Sequence, residues 1–443
     1  MDTAEREHRR ALAAELVDDL LEQDVVAIAL TWVDHSGITR VKSVPVAGLP
    51  RAAADGVGAS PVFDVFLLDD TIITGRHAGG PVGDLRLRPD LDRLTVLAGQ
   101  PGWAWAPADR FDQQGEPHPQ DERGLARAVT DRLTVHGYEV QAGFEVEWVV
   151  GQGGTDDFRP AATGPAYGHA RQVELSDYGA DLLSALYEQD VEVLQFHPEY
   201  APGQFELSTT PEDPVHAADT SVLVRETIRA ITHRHGLRAS FSPKVVADGV
   251  GNGGHVHLSL WRDGRNLFGG GEGWFGLTDE AEAFAAGVLE RVPALCAIGA
   301  PSVASYLRLV PQVWAGAFAV WGLENREAAL RLVAGRDLEV KCYDLSANPY
   351  LVVAATMAAG LAGIVDGARL PEPVGVDPAV LADAKRLPTC LEDAVVAFEA
   401  DEVLAEAFGV EFAETIADVR RGEITRFADC SPDEIAAQTR WRH

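Results

Sequence analysis

The stretch Phe196 to Leu207, FHPEYAPGQFEL, constrains this chain more than any other, because a tight turn lies midway between two carboxylates. Ala201-Pro202-Gly203-Gln204 places Pro at the second turn position and Gly at the third, where a type II turn requires a positive φ. Pairing about that turn sets Glu199 directly opposite Glu206. Like charges facing each other at about 5 Å destabilise a hairpin unless a cation lies between them, so the pattern asks for a metal. Its bland counterpart is an exposed hairpin carrying two of the chain's many acids.

Charge balance narrows the partners. Lys+Arg 37 against Asp+Glu 68 gives a net charge of -31, which argues against nucleic acid and anionic membranes and suits an acidic site fed by divalent cations. At 443 residues and 46% hydrophobic, the chain has material for two or three globular domains. Cys296, Cys342, Cys390 and Cys430 never form a CxxC pair, which fits reduced thiols in a cytoplasm and not a zinc site or a disulfide framework. No apolar run reads as long enough to span a bilayer, and MDTAEREHRR lacks the apolar core of a signal peptide.

Periodicity predicts a helix over Ala11 to Glu22 and a hairpin of Val25 to Val33 with Ile38 to Val46. Short strands are expected near Val62 to Leu68 and Leu94 to Ala98. The Pro- and Gly-rich segment Pro101 to Gln120 marks the expected boundary, giving an α+β module over residues 1–110 and a larger one over 111–443. A helix over Asp121 to His136 then leads into a strand over Tyr138 to Val150. In that strand Glu145 and Glu147 share one face, while Phe144, Val146 and Trp148 share the other. An isolated ExE is more often a solvated face than a site.

Gly249, Gly251 and Gly254 match GxGxxG, but an alternating strand follows where a dinucleotide fold needs a helix, so that reading is rejected. In HVHLSL, His255, His257 and Ser259 share a face; same-face histidines beside glycines serve a ligand as readily as they serve a core. Arg308, Arg326 and Arg331 suit oxyanion binding, with surface ion pairs as the plainer account of any one of them. Glu339 and Lys341 share a strand face, and Asn348-Pro349 caps a helix, Tyr350 to Asp366, that is apolar nearly all round.

Taken together, in this order and spacing, GFEVEW, HPEYAPGQFEL, GNGGHVHLSL and LEVK closely resemble the glutamine synthetase family over nearly the whole chain. The resemblance implies an N-terminal β-grasp domain and a C-terminal catalytic domain with a curved antiparallel sheet. It implies two neighbouring metal sites, one of Glu147, Glu199 and Glu206 and the other of Glu145, His255 and Glu339. Two to three Mg²⁺ or Mn²⁺ ions per active site are expected, with ATP as co-substrate. By the same resemblance Arg308 and Gly251 would hold the acid substrate and Arg326 the transferred phosphoryl group. His257, Ser259 and Arg331 would lie near the nucleotide, and Lys341 near the γ-carboxylate. The family's assembly, stacked hexameric rings with sites between subunits, is expected as well.

Two departures bear on the nucleophile. Trp314 stands where the family's flap carries a glutamate, and Gly56-Val57-Gly58-Ala59-Ser60 has no acid where an aspartate helps bind ammonium. An aromatic pocket cannot stabilise NH₄⁺ but can take an amine's carbon skeleton. The pattern therefore resembles the γ-glutamyl amide (glutamate–amine) ligases of the family, with a small monoamine favoured over a polyamine because few acids are evident in the pocket. The alternatives are an ammonia-using glutamine synthetase and a catalytically silent relative with a structural or binding role. Lys341 replaces an arginine and loses its bidentate fork, so glutamate is less firmly implied than the metal site. Asp64, Asp69 and Asp70 are the candidate proton acceptors for the amine.

Overall fold

Two β-sheets organise the chain in a computed structural model that describes residues 3–154 and 156–443. The first is built from β1 (Ala27–Val33), β2 (Thr39–Pro45), β3 (Val57–Ala59), β4 (Leu85–Pro89), β5 (Thr95–Val96) and β6 (Trp103–Phe111). The second contains β7 (Glu139–Gln152), β8 (Val193–Pro198), β9 (Gln204–Thr209), β10 (Leu237–Ser240), β11 (Val256–Arg262), β12 (Arg265–Asn266), β13 (Phe318–Leu323), β14 (Ala328–Val333) and β15 (Asp337–Val340). Its main path runs β13-β14-β15-β11-β7-β9-β8, and the sheet curls into a half-barrel. Every pair is antiparallel except β13 with β14. The class is α+β, as expected.

Two local expectations fail. Pro61–Val65 is a 3₁₀ helix, not a strand: Ser60 caps it and Pro61 presets its first turn. The Pro- and Gly-rich segment, read as irregular, opens with β6, the central strand of the first sheet, paired parallel to β1 and antiparallel to β4 and β5 and ending at Phe111, beside the expected division after residue 110. Its alternation of Trp and Ala was masked by Pro107, which lies where β1 ends its pairing.

The helix Pro349–Asp366 corrects a third expectation, since it is long and apolar enough to cross a bilayer, yet 72% of it is buried inside the protein. It packs on Asp279–Gly299 backbone to backbone. A Cβ added at Gly287 would meet Ala359 O at 2.3 Å and Gly363 Cα at 2.7 Å. Asp279–Gly299 in turn packs on β13 and β14 of the second sheet.

Polar contacts join the two sheets. The turn between β1 and β2 is gripped by Asn348, whose amide donates to Val33 O at 3.0 Å, and by Arg225, which donates to Gly37 O at 3.2 Å. Gly37, at φ 75°, tolerates no side chain, since a Cβ would fall 1.9 Å from Ser346 O. Arg420 donates to His35 O at 2.6 Å. Arg123 bridges Asp90 and Asp109 of the first sheet to Asp219 of the helix Pro214–Arg234, at 2.6, 2.8 and 2.9 Å. Asp219 is fully buried and without Arg123 would keep only Arg93 at 3.5 Å and the Tyr350 hydroxyl at 2.7 Å, so Arg123→Met would leave its charge underpaired, at a cost of up to about 3 kcal/mol. A clearly lower urea midpoint is expected for that variant; a wild-type midpoint would refute this account of the junction.

Candidate active site

Strand register, more than any single motif, assembles the site. Across the curled sheet Arg331 (β14) pairs with Glu339 (β15), Glu339 with His257 (β11), and His257 with Gly143 (β7). A second row runs from Glu147 (β7) to Glu206 (β9) to His197 (β8). Period-2 alternation puts these side chains on one face. The other face of β7 to β9 is a stack in which Phe196 lies parallel to Phe205, with centroids 5.4 Å apart, and Trp148 lies 6.0 Å from Phe205. That stack fixes the register of the hairpin.

The turn at Ala201–Gln204 forms as expected, with Gln204 N donating to Ala201 O at 3.0 Å and Gly203 at φ 74°. The pairing expected from it does not. Glu199 pairs with Gln204, through a 2.8 Å bond from Glu199 N to Gln204 O, and His197 stands opposite Glu206. The hairpin loop is therefore four residues, Tyr200 to Gly203, and not two, and Arg171 braces it by taking the carbonyls of Glu199, Tyr200 and Ala201 at 2.7, 3.2 and 2.7 Å. The like charges that face each other are therefore Glu206 and Glu147 on neighbouring strands.

The cavity above this face has a volume of about 650 Å³, and its walls include Glu145, Glu147, Glu199, Glu206, His255, His257, Gly251, Arg308, Trp314, Arg326, Arg331 and Lys341. Glu339 lies beneath, 1% exposed, bonded to Lys341 Nζ at 3.1 Å and to Arg331 at 3.0 Å. Ser259 is apart from the others, buried with its hydroxyl accepting from Trp261 Nε1 at 2.8 Å. Gly251 admits no side chain: a Cβ would meet Pro243 O at 2.5 Å and Arg308 Cγ at 2.8 Å. Arg308 is held by Lys341 O and Cys342 O at 3.1 and 3.4 Å. Arg326 is exposed at the wall.

The acids differ sharply in charge state. Burial pushes Glu147 up to about 7 against the pull of Arg308, with the Glu199 charge adding to the rise. Burial likewise pushes Glu206 up to about 7, with Glu145 and Glu147 adding to it and the His197 hydrogen bond opposing. Glu339 overcomes its burial through Lys341 and His255 and is held down to about 2. Glu145 resists burial through hydrogen bonds from His255 and His257, at 2.9 and 3.1 Å, and stays well below the carboxylate range. His197 is raised to about 9 chiefly by its bond to Glu206, and His257, despite burial, to about 10 by Asp337 and Glu145. Burial and Lys341 lower His255.

This donor set fits hard divalent cations: carboxylates predominate, and two of them, Glu147 and Glu206, are pushed toward the neutral state by burial, with neighbouring carboxylates adding to it. Ligand atoms of Glu145, His257 and Glu339 converge within 4.8 Å, as do those of His197, Glu199 and Glu206. His255 Nδ1 reaches both Glu145 and Glu339, at 2.9 and 3.2 Å, and its Nε2 lies 3.9 Å from Glu147.

Several cavity residues escaped sequence reasoning. His197 lies within a motif that was read for its acids, and only the true register reveals it. Tyr167, on the glycine-rich loop, borders the same space, as does Tyr200, which packs edge-on against Trp314 at 6.3 Å. Of the candidate proton acceptors, Asp64 is buried against Arg110 and His118. Asp69 pairs with Arg426 at 2.7 Å and Asp70 with Arg40 at 2.7 Å.

Comparison with known proteins places the architecture. The family model described as "Glutamine synthetase, catalytic domain" matches residues 119–437. The chain belongs to the glutamine synthetase family. Among its relatives, the γ-glutamylpolyamine synthetase GlnA3 of Streptomyces coelicolor is 55% identical over 97% of this chain and 96% of its own length. A glutamine synthetase of Halobacterium salinarum is 31% identical over 93% of each chain. A solved GmaS/ADP complex superposes with a TM-score of 0.85 at 31% identity, over 94% of this chain and 97% of that one. ATP and a divalent cation are requirements of the glutamine synthetase family. For this member, Glu206→Gln should weaken Mn²⁺ binding at least about 10-fold, read by calorimetry on nucleotide-free protein; unchanged affinity would put the cation elsewhere.

Proposed function

We propose that this glutamine synthetase family member is an ATP-dependent carbon–nitrogen ligase that joins the γ-carboxyl of glutamate to an organic amine, and that the amine is a polyamine. The observation that carries the reading is the aromatic wall at the nucleophile end, where Trp314 stands in place of an ammonium-binding carboxylate and packs on Tyr200. Aromatic faces cover the methylenes of a polyamine and attract its ammonium groups through cation–π contact, so the expectation that an aromatic pocket cannot hold an ammonium is too strict; what distinguishes a polyamine from NH₄⁺ here is the carbon skeleton that the rings cover. A net charge of -31 draws polycations toward the cavity. The monoamine expected from the scarcity of pocket acids gives way on two grounds. One is the extent of likeness to a polyamine synthetase; the other is the cluster of Tyr167, Tyr200 and Trp314 at the cavity.

In this reading Arg308, fixed by two backbone carbonyls, and Gly251 hold the α-carboxylate, and Lys341 faces the γ-carboxylate as a point charge. The γ-carboxylate attacks the γ-phosphorus of ATP, the bond to ADP breaks, and a γ-glutamyl phosphate forms. The amine then attacks the acyl carbon and phosphate leaves. Arg326 neutralises charge on the transferred phosphoryl group, and Arg331 and His257 serve the nucleotide side, whereas Ser259, buried away from the cavity, drops out of the expected set. Glu147, Glu199 and Glu206 would hold one cation and Glu145, His255 and Glu339 another, with His197 and His257 adjoining. Bound cations supply charge neutralisation for the phosphates. Assembly into stacked hexameric rings and a cytoplasmic location belong to the same proposal.

The deciding experiment is phosphate release from ATP with Mg²⁺ and glutamate, comparing spermidine and putrescine with methylamine and ammonium. Polyamine turnover well above ammonium turnover is expected. Turnover with ammonium alone would establish a glutamine synthetase, turnover with methylamine alone a monoamine ligase, and no metal-dependent nucleotide binding a silent relative. Trp314→Ala should raise KM for the amine about tenfold, equivalent to about 1.4 kcal/mol of lost contact, with KM for ATP unchanged.

A further inference from the structure

The loop from Leu309 to Ala317 carries Val313 and Trp314 to the cavity wall. Two of its residues are in the left-handed region without being glycine, Gln312 at φ 63° and Trp314 at φ 57°. Such backbone persists only where the surroundings over-determine it. Here the surroundings converge on one side chain. Glu327 accepts the Gln312 N–H at 3.1 Å on one carboxylate oxygen and the Trp314 N–H at 2.7 Å on the other.

The clamp is itself anchored. Glu327 is 8% exposed and its own N–H donates to Asn325 Oδ1 at 3.1 Å. Asn325 in turn donates to Val374 O and Val376 O, at 2.8 and 3.0 Å. At the loop's base Arg386 donates to Leu309 O and Ala317 O, at 3.0 and 3.1 Å, tying the two ends together. Arg386 therefore closes the loop and Glu327 shapes its tip. The tip geometry in turn holds the Trp314 ring edge-on to Tyr200.

We infer that Glu327 is a positioning residue for amine selection: its carboxylate sets the left-handed turn that holds Trp314 against Tyr200 and so fixes the shape of the nucleophile pocket. The inference rests on the reading of Trp314 as part of that pocket. A carboxylate suits the task because it offers two acceptors to two backbone donors, and charge strengthens both bonds. Glutamine keeps the volume but turns an NH₂ group toward one of the amides.

The test is Glu327→Gln in the full chain, with kcat and KM determined separately for spermidine, glutamate and ATP. KM for spermidine should rise about tenfold, the equivalent of losing one charged hydrogen bond. KM for ATP and glutamate should stay within about twofold, since their binding groups lie outside the loop. Amide hydrogen exchange over residues 310–316 should quicken in the same variant. A merely structural role, acting through the adjoining Arg326, would instead lower kcat or raise KM for ATP with loop exchange unchanged, and either result overturns the inference. Should Glu327→Gln fail to fold, Asn325→Ala, which removes the anchor of the clamp, must give the same split. Trp314→Ala separates the two levels. If it alters amine KM and Glu327→Gln does not, the clamp is wrong and the pocket stands; if it leaves amine KM unchanged, the pocket reading itself is wrong.

Discussion

Repulsion among carboxylates on adjacent strands is the constraint to which the rest of the site answers. Glu147 and Glu206 face each other across β7 and β9, with Glu145 two residues along and Glu199 at the hairpin end. Their surroundings are arranged to tolerate that density: His197 opposite Glu206, His255 and His257 on Glu145, Lys341 and Arg331 on Glu339. The backbone joins in, since Gly253 N donates to Glu147 at 2.8 Å. Gly253 has to be glycine there, because a Cβ would fall 2.7 Å from the same carboxylate.

Much of this was legible because a half-buried strand writes its two faces as alternating letters. GFEVEW and HVHLSL gave the correct faces, and the cap at Asn348 gave a helix start that the structure keeps. What stayed hidden depended on partners distant in sequence. Nothing in FHPEYAPGQFEL reveals a four-residue loop braced by Arg171 at three carbonyls, so the natural register put Glu199 where His197 belongs. The strand β6 was lost for a related reason: its Gly and Pro neighbours speak of turns, while its pairing with β1 is a long-range fact.

The departures from the family pattern are what the proposed function rests on. A tryptophan in place of an acid changes what the nucleophile end can solvate, and the structure gives that tryptophan a partner in Tyr200 and a backbone support in Glu327. The glutamate of the ENRE stretch looks in sequence like one more surface acid. Its burial and its two amide donors distinguish it, and neither can be read from a linear pattern.

The junction between the sheets has a further consequence. With Arg123 spanning three aspartates, Asn348 and Arg225 gripping the β1–β2 turn, and Ser346 O pressed against Gly37, the small sheet has no free hinge on the large one. Domain closure is then not a route by which this chain admits substrates or sheds products. Any gating then falls to side chains and short loops at the rim of the cavity, set in a frame whose two sheets are tied together by these contacts.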